Sequence, residues 1–264
     1  MKVGFIGSGN MAQAMIQGML HAVVLSPQDI IISAPSQATR DKMASLGVSV
    51  TPDNKQVAQS DIVFLTVKPY LYRDVIGEIA SSIRPETIIV TVAPGIRFEQ
   101  LRTWFERPVK VIRTMPNTPA LVAAGVTGYC RNDQATDDEM EQVVRLLESF
   151  SRTVAVKESL MEAVSGLSGS GPAYVFMIIE SMAQAGIQAG LPQKQAIELA
   201  AQTVFGAAKM VLESNVAPAT LRDQVCSPGG ATIEGVRVME QKGVRSGVME
   251  AVIAGMERAK ELGR

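Results

Sequence analysis

The chain has 264 residues, enough for one large domain or two ordinary ones, and its 47% apolar and 19% charged residues support a sizeable core and exclude disorder. Its 25 Lys and Arg against 26 Asp and Glu leave a formal charge of −1, so no basic excess draws it to nucleic acid or to an anionic membrane surface. Cys130 and Cys226 stand far apart with no CxxC spacing, which argues against a metal site or a disulfide scaffold and for a reducing compartment. No basic, cleavable apolar leader precedes the first apolar run, so a cytoplasmic enzyme is expected.

In chain order, short β-branched runs at Val3 to Ile6, Ile30 to Ser33, Asp61 to Val67, Thr87 to Val92 and Val109 to Ile112 alternate with helix-sized stretches. Fully apolar runs of this length are what a parallel sheet covered on both faces requires. Residues 1–160 therefore read as a doubly wound α/β domain. Beyond about Leu160 no such run occurs, Ala and Met become frequent, and residues 161–264 read as all-helical. Their punctuation is confined to turns at Gly166 to Pro172, Gly190 to Pro192, Ala217-Pro218 and Pro228 to Gly230. Gln193 to Glu213 and Val244 to Leu262 carry apolar residues at three and four spacing, and Glu180, Gln184 and Gln188 draw a polar stripe down the apolar stretch from Gly171 to Leu191. So apolar a helical half is hard to cover alone, and its spare faces are expected to meet another subunit.

The first run enters Gly7-Ser8-Gly9-Asn10-Met11-Ala12 and then a helical stretch from Gln13 to Leu20. In this strand–turn–helix context Gly7 permits the tight turn, Gly9 lets the backbone approach a pyrophosphate, and Ala12 lets the helix pack on the strand. The helix N-terminus then faces the phosphate charge. The second run ends in Ser33-Ala34-Pro35-Ser36 without the carboxylate that would hold a ribose 2′-hydroxyl, and Arg40 and Lys42 follow. That ending favours NADPH over NADH, although NADH remains a possible donor. Val67-Lys68-Pro69 and Ala93-Pro94-Gly95 end later strands, where the nicotinamide half of a cofactor is expected.

Arg113 to Pro119 follows the next strand as a loop stiffened by Pro116 and Pro119, suited to substrate positioning, with Asn117 its candidate contact. Cys226-Ser227-Pro228-Gly229-Gly230-Ala231-Thr232 offers consecutive backbone N–H groups and two hydroxyls ahead of a helix, a cradle for a carboxylate. The one histidine, His21, falls at the end of the first helix, remote from the strand ends. A hydroxy-acid dehydrogenase needs a base. A protonated imine needs positioning and a hydride, so this inventory leans toward imine reduction.

Taken together, Ile6 to Ala12, Val67 to Pro69, Arg113 to Pro119, Gly169 to Tyr174 and Val225 to Glu240 resemble the pyrroline-5-carboxylate reductase family over essentially the whole chain. Val225 to Gly235 resembles the family signature. The resemblance implies a Rossmann domain followed by a helical dimerisation domain that interlocks two subunits. It implies NAD(P)H-dependent reduction of 1-pyrroline-5-carboxylate to L-proline, the last step of proline biosynthesis. It also implies that Gly7, Ser8, Gly9, Asn10, Met11, Ser33, Ala34, Pro35, Ser36, Val67, Lys68, Pro69, Ala93, Pro94 and Gly95 hold the cofactor. Ser227, Gly229, Gly230, Ala231 and Thr232 would hold substrate, with Thr232 near the imine nitrogen. Pro94 departs from the alanine or glycine of many members, and Ala217-Pro218 replaces a His-Pro. The competing β-hydroxyacid dehydrogenase pattern needs a lysine on the helix after Gly171, and none occurs before Lys194.

Overall fold

The computed structural model describes residues 1–263. The chain forms two compact units, one of residues 1–170 joined by the C-terminal stretch from Ile253, the other Gly171–Val252. The first thus runs ten residues past 160 and takes back the end of the last helix.

In the first unit β1 (Val3–Ile6), α1 (Asn10–His21), β2 (Ile30–Ser33), α2 (Gln37–Ala44), β3 (Ser49–Thr51), α3 (Asn54–Val57), β4 (Ile62–Leu65), α4 (Tyr72–Ile79), β5 (Ile88–Thr91) and α5 (Phe98–Phe105) alternate. They are followed by β6 (Lys110–Met115), β7 (Gly125–Arg131), α6 (Asp137–Leu147), β8 (Ser151–Ala155) and α7 (Met161–Val164). The strands form one sheet in the order β3-β2-β1-β4-β5-β6-β7-β8. Pairing is parallel from β3 through β6, antiparallel between β6 and β7, and parallel again between β7 and β8. The doubly wound expectation therefore holds for six strands, and the last two reverse direction.

Every residue of β1, β4 and β5 is buried, and alternate side chains feed two separate cores. Val3, Phe5, Ile62, Phe64, Ile88 and Val90 pack with Met15, Ile16 and Met19 of α1 and Val143 and Leu147 of α6. Ile6, Val63, Leu65 and Ile89 pack with Tyr72, Ile76 and Ile79 of α4 and Leu101 and Phe105 of α5. Each such side chain contributes about 1.5–3 kcal/mol on burial, which is why the runs admit no polar alternation. Phe5 stacks on Phe64 with ring centroids 4.8 Å apart.

The sequence pattern missed β3, β7 and β8 because they are short, polar or glycine-containing. Gly128 in β7 has no room for a side chain: a Cβ there would stand 2.6 Å from a methyl of Val164. The sixth strand also runs longer than Val109 to Ile112 and carries Arg113, Thr114 and Met115.

The second unit holds α8 (Gly171–Gln188), α9 (Gln193–Ser214), α10 (Pro218–Val225), α11 (Ala231–Gln241) and the start of α12 (Val244–Leu262). Its buried cluster is small, formed by Ala183, Ala196 and Ala200 with Ile179 against it. Phe176, Met177, Leu199, Phe205, Met210 and Leu212 are exposed in the single chain. The glycine-rich stretch from Gly166 to Pro172 is not a turn but helix: Ser165–Gly169 forms a π-helical segment between α7 and α8.

Candidate active site

The Gly7–Met11 turn joins β1 to α1 at the carboxyl edge of the sheet. Gly7 has φ of +99°, and a Cβ on it would stand 3.0 Å from the Thr66 backbone. Gly9 is the opposite case, since a Cβ there would meet nothing within 4 Å. The open space in front of Gly9 and the unpaired first-turn N–H groups of α1 are what a pyrophosphate requires, so these residues fit a dinucleotide. Thr66 holds the turn from behind, its hydroxyl donating to the carbonyls of Ile6 at 3.0 Å and Gly7 at 2.8 Å. Gln13 Nε2 donates to the Ser8 carbonyl at 2.8 Å.

The groove beside this turn, about 510 Å³, is lined by Ser8, Gly9, Asn10 and Gln13 on one side and by Pro35, Ser36, Thr39 and Lys42 on the other. Ser33 and Ala34 do not open into it directly, each being 2% exposed. Ser36 caps α2, its Oγ accepting from the Thr39 N–H at 3.2 Å. Arg40 folds back over the same bend, Nη1 donating to the carbonyls of Ala34 at 2.6 Å and Pro35 at 2.8 Å. A guanidinium is thereby fixed where the second strand ends without a carboxylate.

Val67-Lys68-Pro69 and Ala93-Pro94-Gly95 sit at the same edge, after β4 and β5. Lys68 is exposed and makes no ion pair among the described residues. Tyr72 ties the two strand ends together, donating to the Leu65 carbonyl at 2.6 Å and accepting from the Val92 N–H at 3.3 Å. Burial pushes its phenol well above the ordinary tyrosine range. Gly95, at φ of +80°, abuts the end of α12: a Cβ there would stand 2.5 Å from the Ala259 carbonyl. Its lack of a side chain is thus also a packing requirement.

In the second unit Ser227-Pro228-Gly229-Gly230 is a tight turn closed by the Gly230 N–H donating to the Ser227 carbonyl at 3.0 Å. Pro228 presets the first central residue, and Gly229, at φ of +67°, takes the position that demands glycine in a type II turn. Gly230 is then the N-cap of α11 with no side-chain cap bond, and Ala231 and Thr232 are its exposed first two residues. The first acidic residue of α11, Glu234, is tied to Arg237, whose hydrogen bond holds its carboxyl below the usual range. The helix start therefore exposes free N–H groups beside the Thr232 hydroxyl, a donor set of the kind that suits a carboxylate.

Comparison with known proteins decides the assignment. Residues 158–262 match the family model described as pyrroline-5-carboxylate reductase dimerisation, and residues 2–95 match that described as NADP oxidoreductase coenzyme F420-dependent. The pyrroline-5-carboxylate reductase of Escherichia coli is 42% identical over 100% of this chain and 98% of its own. The human pyrroline-5-carboxylate reductase 2 is 41% identical over 99% of this chain and 84% of its own. The chain belongs to the pyrroline-5-carboxylate reductase family. Among solved structures, that of Coxiella burnetii pyrroline-5-carboxylate reductase superposes with a TM-score of 0.91 at 34% identity, covering 100% of this chain and 98% of its own. The Plasmodium falciparum pyrroline carboxylate reductase, solved with NADP bound, gives 0.91 at 29% identity, covering 100% and 98%. The chain is accordingly an NAD(P)-dependent oxidoreductase with an N-terminal Rossmann-like domain, and the reaction of its family is reduction of the pyrroline to proline.

Within this reductase the loop after the sixth strand differs from expectation. Arg113 is on β6 rather than in the loop, 2% exposed, paired with Glu158 at 2.9 Å and Glu162 at 3.4 Å. Arg97 reaches Glu162 at 3.6 Å, and Glu158 also accepts from the Phe98 N–H at 2.7 Å. Asn117 is 7% exposed and turned inward, Oδ1 accepting from the Val126 N–H at 2.9 Å and Nδ2 donating to the Ser168 carbonyl at 3.1 Å. His21 is exposed at the C-terminal end of α1, the end away from the Gly9 turn. Among the described residues no group of three His, Cys, Asp or Glu is placed to hold a metal, and no helix is long and apolar enough to cross a membrane.

The sequence alone did not mark Thr66, Gln13 or Tyr72 as supports of this edge. Thr66 alone carried a signal, since a parallel register of Ile6 with Leu65 puts the next residue beside Gly7.

Proposed function

We propose that this chain reduces 1-pyrroline-5-carboxylate to L-proline with NADPH in preference to NADH, in the cytoplasm, as a homo-oligomer built from interlocked dimers. The observation that carries this reading is the open space before Gly9 at the start of α1, bounded by a β2 end that holds a guanidinium and no carboxylate. Gly7, Ser8, Gly9, Asn10 and Met11 would hold the pyrophosphate; Pro35 and Ser36 would border the adenosine ribose side, with the buried Ser33 and Ala34 shaping the strand end behind them. Val67, Lys68, Pro69, Ala93, Pro94 and Gly95 would border the nicotinamide. NADPH, when bound, would supply the hydride that adds to the carbon of the N-protonated cyclic imine, whose C=N π pair becomes the lone pair of the amine nitrogen.

The chain's own residues do the rest. Backbone N–H groups of Gly229 and Ala231, with the Ser227 hydroxyl, bind the substrate carboxylate, while Gly230, its own N–H spent on the Ser227 carbonyl, shapes the turn; Thr232 orients the ring at the imine nitrogen; Asn117 orders the loop after β6. Residues 161–264 act as the substrate-binding and dimerisation region, which the exposed apolar faces of α8 and α9 support. Both cysteines are free, in keeping with a reducing compartment. The test follows NADPH absorbance at 340 nm with pyrroline-5-carboxylate: dependence of its loss on both substrate and enzyme is expected, and its absence overturns the reading.

A further inference from the structure

A chain entering α8 meets Pro172 in the second position of that helix, four residues after Ser168. In a continuous α-helix the Ser168 carbonyl accepts from the N–H of residue 172, but proline has none, and its ring crowds the carbonyl four residues earlier. Two features of the structure answer that defect. The backbone widens to a π-helical turn over Ser165–Gly169, closed by the Ser170 N–H donating to the Ser165 carbonyl at 2.9 Å. The Asn117 side chain then donates to the Ser168 carbonyl at 3.1 Å, from a loop 51 residues earlier.

The surroundings leave this segment little freedom. The other end of the Asn117 amide accepts from the Val126 N–H, so the donor is aimed by β7. A Cβ on Gly169 would stand 2.6 Å from the methyl of Met115, the last residue of β6. The Ser168 hydroxyl donates to the Val164 carbonyl at 3.0 Å. Asn117 therefore stands one residue beyond Pro116 at the carboxyl end of β6, the sheet edge that also carries the Gly7, Val67 and Ala93 turns.

We infer that Asn117 is a positioning residue whose amide replaces the backbone N–H missing at Pro172, pinning the π-helical segment Ser165–Gly169 to the loop after β6. It acts on the reaction through that segment and that loop, without touching substrate. The inference rests on the functional reading above and adds to it the division of labour between the pin and the Ser227–Thr232 turn.

Asn117→Asp isolates the donor, because a carboxylate still accepts from Val126 but has nothing to give Ser168. In the otherwise unchanged enzyme it should lower kcat by about tenfold or more, leave the Kd for NADPH within about twofold, and speed amide exchange across residues 165–170. Pro172→Ala returns a backbone N–H at that position. In that background the same Asn117 change should cost no more than about threefold in kcat and leave exchange across 165–170 unaltered. If Asn117→Asp folds poorly by itself, recovery of its Tm and kcat in the double variant supports the pin in the same way. Equal penalties in the two backgrounds, an NADPH Kd that moves with kcat, or an Asn117→Asp enzyme with unchanged kcat and exchange would each overturn the pin. Failure of the unaltered enzyme to oxidise NADPH with pyrroline-5-carboxylate would instead overturn the functional reading, and the exchange comparison would still decide the pin.

Discussion

The Ser33 hydroxyl donates to Oδ1 of Asn54 at 2.6 Å, and the other side of the Asn54 amide donates to Glu78 at 2.8 Å. Ser33 is thus held inside the protein by its own bond, which under the proposed reading leaves contact with the adenosine ribose to the exposed bend at Pro35 and Ser36 and to the Arg40 guanidinium bonded to that bend.

That arrangement makes Ser36 the place to reverse cofactor choice, since Ala34 is buried and a carboxylate there would be desolvated. Aspartate is as good a helix N-cap as serine, so Ser36→Asp keeps α2 capped while adding a charge that repels a 2′-phosphate. Its Kd for NADPH should rise about ten- to a hundredfold while that for NADH changes little. Fluorescence titration with both cofactors measures this, and unchanged selectivity would move the 2′-phosphate elsewhere.

The two glycines of the first turn should separate cleanly. Gly9→Val places a side chain in open space, so the Tm should stay within a few degrees while NADPH binding is lost. Gly7→Val demands a positive φ and sets a Cβ against the Thr66 backbone, and should destabilise the fold by about 2 kcal/mol or more. Thermal unfolding beside cofactor titration distinguishes the pair; Gly9→Val with full NADPH affinity would make the turn purely structural.

Arg113 is buried against Glu158 and Glu162, and Glu162 is itself only 4% exposed. Replacing Arg113 by Met leaves Glu162 with the more distant Arg97 as its cation, and should cost about 3–5 kcal/mol. Changing Glu162 to Gln in the same chain should recover part of that loss. Urea unfolding of the single and double variants gives the answer, with a fully stable Arg113→Met chain counting against a tightly held node.

The exposed apolar faces of α8 and α9 should be covered by another subunit. Light scattering at micromolar concentration should give at least a dimer, and Phe176→Glu, on a side chain 63% exposed in the single chain, should weaken that association. A monomeric mass for the unaltered protein would refute the expectation.

The proposed reliance on placement rather than on a titrating side chain predicts a sharp contrast between two residues. Thr232→Ala should lower kcat/KM by about ten- to a thousandfold, equivalent to roughly 1.4–4 kcal/mol of transition-state stabilisation. His21→Ala should leave turnover unchanged, because His21 lies at the far end of α1. An inactive but folded histidine variant beside an unimpaired threonine variant would reverse the assignment.

The central strands, the glycine turn after β1 and the last helix were legible in the chain because each announces itself locally. A strand buried on both faces must be apolar throughout, a dinucleotide turn must have glycine at fixed offsets, and a long helix must repeat its apolar face; Val244–Leu262 was read to the residue for that reason. Family likeness then supplied the substrate, which no local pattern contains. What the chain could not declare was the use of side chains whose partners lie far away in sequence. Arg113 and Asn117 read as polar members of a stiff loop, yet their partners stand 45 and 51 residues further on. Glycine-rich Gly166 to Pro172 read as a turn, because glycine and proline break helices unless something outside supplies the missing bond. Tertiary structure decided these points: burial leaves a charged or amide group no water to fall back on, and which partner it finds depends on what the sheet brings alongside.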